Sequence, residues 1–268
     1  MAKKILLASG CSYTDTHYRS NDPTIKRDWE MWPELMAKEL GLECVNKGQS
    51  GAGADHIFDT ILEGLSTYGD RVDTVAILWS TSDRLPFFNF TLNPIVECNT
   101  INGNYDPFPW MDDIGVGKIS QKYFKSDHFL STKAYKSMIL NPIRKMFAIM
   151  EICEKRNIKF VMFGGLIYFD YFSINKQVEN QQLPEKCAIS PAEVVKILTN
   201  NSIFSEVEKR KKHFIGWPMM KEIGGYSFDD MRYNKEEYYI SIRDRHPNAA
   251  GQILISKEFI KRYKDLYL

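Results

Sequence analysis

The sequence predicts an α/β fold built on a central, mostly parallel sheet, and three observations carry that prediction. Short, continuously apolar runs (Ile5–Ala8 and Val75–Leu78) lead straight into glycine or polar turns, the pattern of strands buried on both faces. Between them lie stretches with apolar residues at helical spacing, such as Ile57, Phe58, Ile61, Leu62 and Leu65. The elements alternate strand, helix, strand, helix, strand, the order of right-handed βαβ units.

Each element has a local reason. The first strand runs over Lys3–Ala8 into Ser9-Gly10-Cys11-Ser12, where Gly10 lets the backbone turn sharply. A polar loop over Tyr13–Asp28 precedes a helix at Trp29–Leu40, with Pro33 near its first turn and Gly41 behind its end. Leu42–Asn46 is a short second strand, followed by the glycine-dense turn Lys47–Gly53 and a helix over Ala54–Tyr68. Val72–Trp79 is the third strand. Pro86 to about Asp127, rich in Asn, Pro, Gly and aromatic residues, breaks the alternation and reads as a first insertion.

Helical periodicity returns over Ser131–Arg156, and Ile158–Phe163 is a fourth strand stopped by Gly164-Gly165. A second insertion spans 168–235, with a helix at Pro191–Asn200 capped by Ser190. Glu237–Ile242 reads as the last strand or an extended lead-in, and Pro247–Tyr267 as the closing helix, with Pro247 at its first position. The whole is one domain over 1–268, with a sheet of five strands and both insertions above the strands' carboxyl ends, where open α/β sheets keep their reactive groups.

Bulk properties narrow the functional classes. A chain of 268 residues with 44% hydrophobic and 26% charged residues is ordinary for a globular protein with a substantial core. A formal net charge of +1 gives no field for nucleic acid. The run Lys209–Lys212 is balanced by Glu206 and Glu208 and reads as a solvated helix face. Five widely spaced cysteines without a CxxC suit a reducing compartment. The first apolar run is too short for a signal peptide, and no run is long enough to span a membrane, so a cytoplasmic location is expected, with a virion-associated one left open. His17, His56, His128 and His213 lack metal-ligand spacing, and no metal or cofactor is expected.

Chemistry concentrates at the two ends of the chain. Ser12 stands at the carboxyl end of the first strand, as a nucleophile would. In Arg243-Asp244-Arg245-His246-Pro247, the proline holds His246 extended, so Asp244 and His246, two apart, project to one side. A carboxylate so placed fixes the tautomer of a general base. Gly51 and Ser12 offer backbone N–H groups to a developing oxyanion, although Gly48, Gly51 and Gly53 equally suit close packing at a strand-to-helix joint. Cys11, next to Ser12 on extended chain, points the opposite way and is a poor rival nucleophile.

Three blocks in order, Gly10-Cys11-Ser12-Tyr13-Thr14, Asn46-Lys47-Gly48-Gln49-Ser50-Gly51 and Asp244-Arg245-His246-Pro247-Asn248, resemble the SGNH hydrolases, the GDSL-type esterases and lipases. The Gly-Cys-Ser form is similar to variants carried by tailed bacteriophages and some bacteria. The resemblance covers Lys3–Asp83 and Glu237–Leu268 and leaves the insertions unaccounted for. It implies a three-layer α/β/α sandwich with flavodoxin-like strand order, no cofactor, and hydrolysis of O-acyl esters, often acetyl groups on carbohydrate.

Two positions depart from the family pattern: Cys11 replaces an aspartate, and Trp79-Ser80-Thr81-Ser82-Asp83 stands where the family has Gly-x-Asn-Asp. Ser82 therefore falls at the asparagine oxyanion donor, with Ser80 and Asn89 as alternative donors, and Cys11, Trp79, Ser80, Asp83 and Asn89 are expected to line the substrate. The expected function is a serine esterase acting on a small-molecule or glycan ester, the oligomeric state left open. The alternative is a weak or inactive SGNH-fold binding or structural module. Aromatic residues of the insertions (Tyr105, Phe108, Trp110, Trp217, Tyr226) suit loop packing, or stacking on sugar rings.

Overall fold

The computed structural model describes residues 3–20, 24–82, 84–88, 95–99, 132–169, 179 and 189–268, and for 85–88, 95–99 and 132–135 the backbone alone. Five strands form the central sheet: β1 (Ile5–Gly10), β2 (Glu43–Asn46), β3 (Val72–Trp79), β6 (Lys159–Gly164) and β7 (Phe214–Ile215). Their order is β2-β1-β3-β6-β7, every pair parallel. β1 thus lies in the sheet's interior, and its residues are buried from end to end. β4 (Arg84–Phe88) and β5 (Ile95–Asn99) pair antiparallel as a separate hairpin. The first insertion therefore opens as a strand, with Pro86 opposite Glu97; the rest of 86–127 lies outside the described residues.

Helices cover both faces. On one, α1 (Trp32–Glu39) packs on α7 (Ala249–Tyr267), with Trp32 stacked on Phe259 at 4.3 Å and 7°. On the other, α2 (Ala54–Tyr68) lies over β1 and beside α3 (Thr132–Lys155). Gly64 permits that approach, because a Cβ there would sit 2.6 Å from Leu7 Cδ1. The result is a three-layer α/β/α arrangement in flavodoxin-like order, as expected.

Three expectations need correction. The fifth strand is the two-residue β7, inside the second insertion, and not Glu237–Ile242. That segment forms a 3-10 turn at Glu236–Tyr238, an isolated antiparallel bridge from Tyr239 to Pro247, and then a bent chain in which Ser241 and Asp244 close a turn. Pro247 precedes the helix: Asn248 is its N-cap, its side chain accepting from Gly251 N at 3.0 Å. The second insertion is also more than a roof. Its α4 (Pro191–Thr199) and α5 (Ser202–Glu208) pack on α3, whereas the segment around α6 (Phe228–Met231) reaches the carboxyl-end loops. Ser190 caps α4 as expected, completing a reciprocal pair with Glu193.

Candidate active site

The turn after β1 is tight by necessity. A side chain on Gly10 would meet Thr14 Oγ1 at 2.2 Å and Leu78 O at 2.8 Å. Thr14 N and Asp15 N both donate to Cys11 O, at 2.8 and 3.1 Å, closing the turn. Within this turn Cys11 is buried in the core, and Ser12 faces the carboxyl-end loop that carries His246.

The partner loop is held from several sides. Ile240 N donates to His246 O at 2.9 Å, and Ser241 and Asp244 exchange backbone hydrogen bonds. Asn248 Nδ2 donates to Glu237 O and Tyr239 O. This loop delivers His246 Nε2 to 2.9 Å from Ser12 Oγ and His246 Nδ1 to 2.6 Å from Asp244 Oδ1. Residues 234 positions apart thus meet in one line of hydrogen-bonded groups. Gln252 of α7 braces the same region, accepting from Trp32 N and donating to Tyr13 O.

Asp244 is the most buried member, its side chain 0% exposed against 25% for His246. Burial alone would raise its pKa. Hydrogen bonds from the His246 ring, Ser20 Oγ (2.5 Å), the His246 N–H (3.1 Å) and Tyr18 Oη (2.8 Å) outweigh it and hold the carboxyl well below the usual carboxylate range. An anionic acceptor at Nδ1 keeps the ring proton there and leaves the Nε2 lone pair facing the Ser12 hydroxyl.

Behind the histidine stand the buried Tyr13 and Arg232 and the half-buried Asp229. Tyr13 meets the His246 ring edge-on at 5.4 Å. Its hydroxyl donates to Asp229 Oδ1 at 3.0 Å, and Arg232 donates to Asp229, to the Tyr13 oxygen and to Arg245 O. Burial raises the Asp229 pKa, with Arg232 opposing, and burial followed by Asp229 raises that of Tyr13. Arg232 thereby fixes the carbonyl immediately before His246.

Asp15 joins the first loop to the glycine turn: Oδ1 accepts from His17 N at 2.7 Å, and Oδ2 from Ser50 N and Oγ at 2.9 and 2.5 Å. Next to it Gly51 adopts φ +83°, in the left-handed region. Close packing does account for Gly48, whose Cβ would lie 2.7 Å from the Thr14 carbonyl carbon.

Beyond β3, Ser80, Thr81 and Ser82 are buried. Ser82 N donates to Tyr168 O at 2.8 Å, while the Ser80 and Ser82 hydroxyls and Trp79 Nε1 have no hydrogen-bond partner among the described residues. Cys11 and Trp79, expected to line the substrate, are instead core side chains at 0% and 1% exposure. Asp83 and Asn89 lie outside the described residues. Sequence reasoning left Tyr18, Ser20, Asp15 and Arg232 without a role. Of these, only Asp15 carries a readable signal, lying three residues after Ser12 in the same turn.

Among the described residues no group of three or more His, Cys, Asp or Glu side chains is arranged to hold a metal ion, and no helix is long and apolar enough to cross a membrane.

Neither a protein-family model nor a curated protein sequence matches the chain. Among solved structures it is similar to LAE5, an alpha/beta hydrolase enzyme from the metagenome of Lake Arreo, Spain (13% identity, TM-score 0.44, 99% of this chain and 97% of that one). It is likewise similar to a catalytic mutant of Axe2, an acetylxylan esterase from Geobacillus stearothermophilus (12% identity, TM-score 0.45, 97% and 94% covered). A third is a G-D-S-L family protein from Desulfitobacterium hafniense DCB-2 (12% identity, TM-score 0.44, 97% and 99% covered).

Proposed function

We propose that the chain is a serine esterase of SGNH type, one domain over 1–268 with insertions at about 86–127 and 168–235, that hydrolyses O-acyl esters, O-acetyl groups on carbohydrate in particular. The observation that carries the reading is the hydrogen-bonded line Ser12 Oγ, His246 Nε2, His246 Nδ1, Asp244 Oδ1. The carbohydrate ester rests on the resemblance of the three sequence blocks.

In this mechanism Ser12 Oγ attacks the acyl carbon as His246 Nε2 takes the hydroxyl proton. The tetrahedral intermediate collapses when the imidazolium returns that proton to the leaving alcohol oxygen, which leaves an acyl ester on Ser12. Water then attacks the ester carbon while His246 removes its proton, and the second collapse frees the acid and restores Ser12. Asp244 keeps Nδ1 protonated and balances the transient imidazolium. The N–H groups of Ser12 and Gly51, with the Ser82 hydroxyl, are the proposed oxyanion donors.

One observation favours a second reading, a weak or inactive binding module. Ser82 stands at the family's asparagine donor, and its own N–H is committed to Tyr168 O. Loss of one such donor typically costs about 2.7–4 kcal/mol, or 10²–10³ in rate. A fluorophosphonate probe and 4-nitrophenyl acetate separate the two readings. The esterase labels at Ser12 and turns over the ester, and Ser12→Ala loses both. Wild-type protein that neither labels nor hydrolyses the ester overturns the esterase reading. Acetate release from acetylated oligosaccharides then tests the substrate class.

A further inference from the structure

We infer that Tyr18 is a positioning residue of this site, closing Asp244 and His246 into a three-membered hydrogen-bonded ring; the inference rests on the serine-esterase reading. The Tyr18 hydroxyl lies 2.8 Å from Asp244 Oδ2 and 2.7 Å from His246 Nδ1. A phenol carries a single proton, and the stronger acceptor is the anionic carboxylate, which takes it at Oδ2. The Tyr18 oxygen therefore meets Nδ1 as an acceptor, and the Nδ1 proton is shared between it and Asp244 Oδ1, 2.6 Å away. With two acceptors facing Nδ1, the tautomer that leaves Nε2 open to Ser12 is doubly specified.

The ring adds a second restraint. It stacks on the imidazole with centroids 4.1 Å apart and planes 27° apart, while Tyr13 closes off another side edge-on. Rotation of the imidazole away from Ser12 would have to displace both aromatic rings. Ser20 Oγ, two residues on, donates to the same Asp244 oxygen. One loop thus carries the nucleophile and, six positions later, the group that holds the acid–base pair in line with it.

The test compares wild type with Tyr18→Phe, which keeps the stacked ring and removes only the hydroxyl, and with Tyr18→Leu, which removes both. With 4-nitrophenyl acetate, Tyr18→Phe is expected to lower kcat about tenfold, the rate equivalent of one charge-assisted hydrogen bond, with KM within about twofold. Tyr18→Leu should lower it further. In substrate-free protein the low-field Nδ1 proton resonance of His246 is expected to move downfield in Tyr18→Phe, because the proton is no longer shared. An unchanged kcat together with an unmoved resonance overturns the inference. The resonance needs no ester turnover, so an inactive wild type whose resonance still responds would sink the esterase reading and leave the role of Tyr18 standing. Should Tyr18→Phe fail to fold, Tyr18→3-fluorotyrosine keeps the packing and changes only the strength of the phenol. A resonance unmoved in that variant also overturns the inference.

Discussion

Replacing Asp244 with asparagine removes one charge and almost no volume, so its effect can be worked from the contacts. Oδ1 receives the His246 ring at 2.6 Å and the His246 N–H at 3.1 Å; Oδ2 receives Tyr18 at 2.8 Å and Ser20 at 2.5 Å. An amide has one accepting oxygen, so one of these two places must now offer a donor to donors. The Oδ2 place costs less, because the Tyr18 and Ser20 hydroxyls can turn to accept, whereas the His246 N–H cannot. The histidine then keeps its tautomer, and what is lost is the counter-charge of the imidazolium formed as Ser12 attacks. Two unit charges about 3 Å apart at an effective dielectric near 20 attract by about 5–6 kcal/mol. That corresponds to about four decades of rate at about 1.4 kcal/mol each. The amide dipole retains part of it, so kcat/KM for Asp244→Asn should fall by about 10³. The assay is steady-state hydrolysis of 4-nitrophenyl acetate at pH 8, with a thermal melt to show that the variant is folded. A folded Asp244→Asn within about threefold of wild type would refute the reasoning, since the carboxylate would then carry no share of the proton transfer.

Ser12→Ala should abolish ester turnover, whereas Cys11→Ala, at a fully buried core position, should leave it measurable and cost about 1 kcal/mol in urea denaturation; the reverse pattern in the ester assay would make Cys11 the nucleophile. Asp244 also has a stability signature. Its folded pKa is depressed, so its contribution is fully present above the unfolded value of about 3.9 and is lost as pH falls through the folded value. Urea midpoints should therefore fall more steeply for wild type than for Asp244→Asn below about pH 4, and parallel curves would contradict this. His213 works in the same direction at milder pH. It is buried and stacked on Phe160 at 4.2 Å, and burial depresses its folded pKa. The unfolded chain then takes up the proton first, so stability should fall as pH drops below about 6.5, and His213→Phe should flatten that slope. Arg232→Met takes the cation from the half-buried Asp229 carboxyl and should cost about 2–3 kcal/mol by urea denaturation; a loss under about 1 kcal/mol would mean the cluster does not brace the loop.

Legibility in the sequence followed the range of the interactions involved. Helix Ala54–Tyr68 and strand Val72–Trp79 were readable to the residue, because periodicity and the break at Gly69-Asp70 are local. Ser12 stood out beside Gly10, and Asp244 and His246 stood out beside Pro247, because backbone punctuation fixes the geometry of its neighbours. Strand β7 escaped because two residues have no period, and Glu237–Ile242 offered a longer stretch rich in β-favouring Tyr and Ile in its place. Tyr18 and Ser20 reach Asp244 across 226 and 224 residues, and Arg232 reaches Tyr13 across 219. Contacts of that kind, between loop side chains, leave no pattern in either segment. Cys11 was expected on extended chain beside Ser12, but both lie in the turn closed by Thr14 N and Asp15 N on Cys11 O, and there Cys11 is fully buried.

Those long-range contacts change what the second insertion is for. By supplying β7 it pairs Met162 and Phe163 of β6, whose hydrogen-bonding edge would otherwise lie open at the end of the sheet. Farther along, the same insertion supplies Arg232, which holds Arg245 O and the Tyr13 oxygen, and so braces the backbone entering His246 and the aromatic ring beside it. A segment added only as a lid could be shortened at the expense of substrate binding alone. Shortening this one would uncover a sheet edge and loosen the histidine together, so stability and kcat should decline in step for changes between β7 and α6. Changes in α4 and α5, which rest on α3, should affect stability by itself.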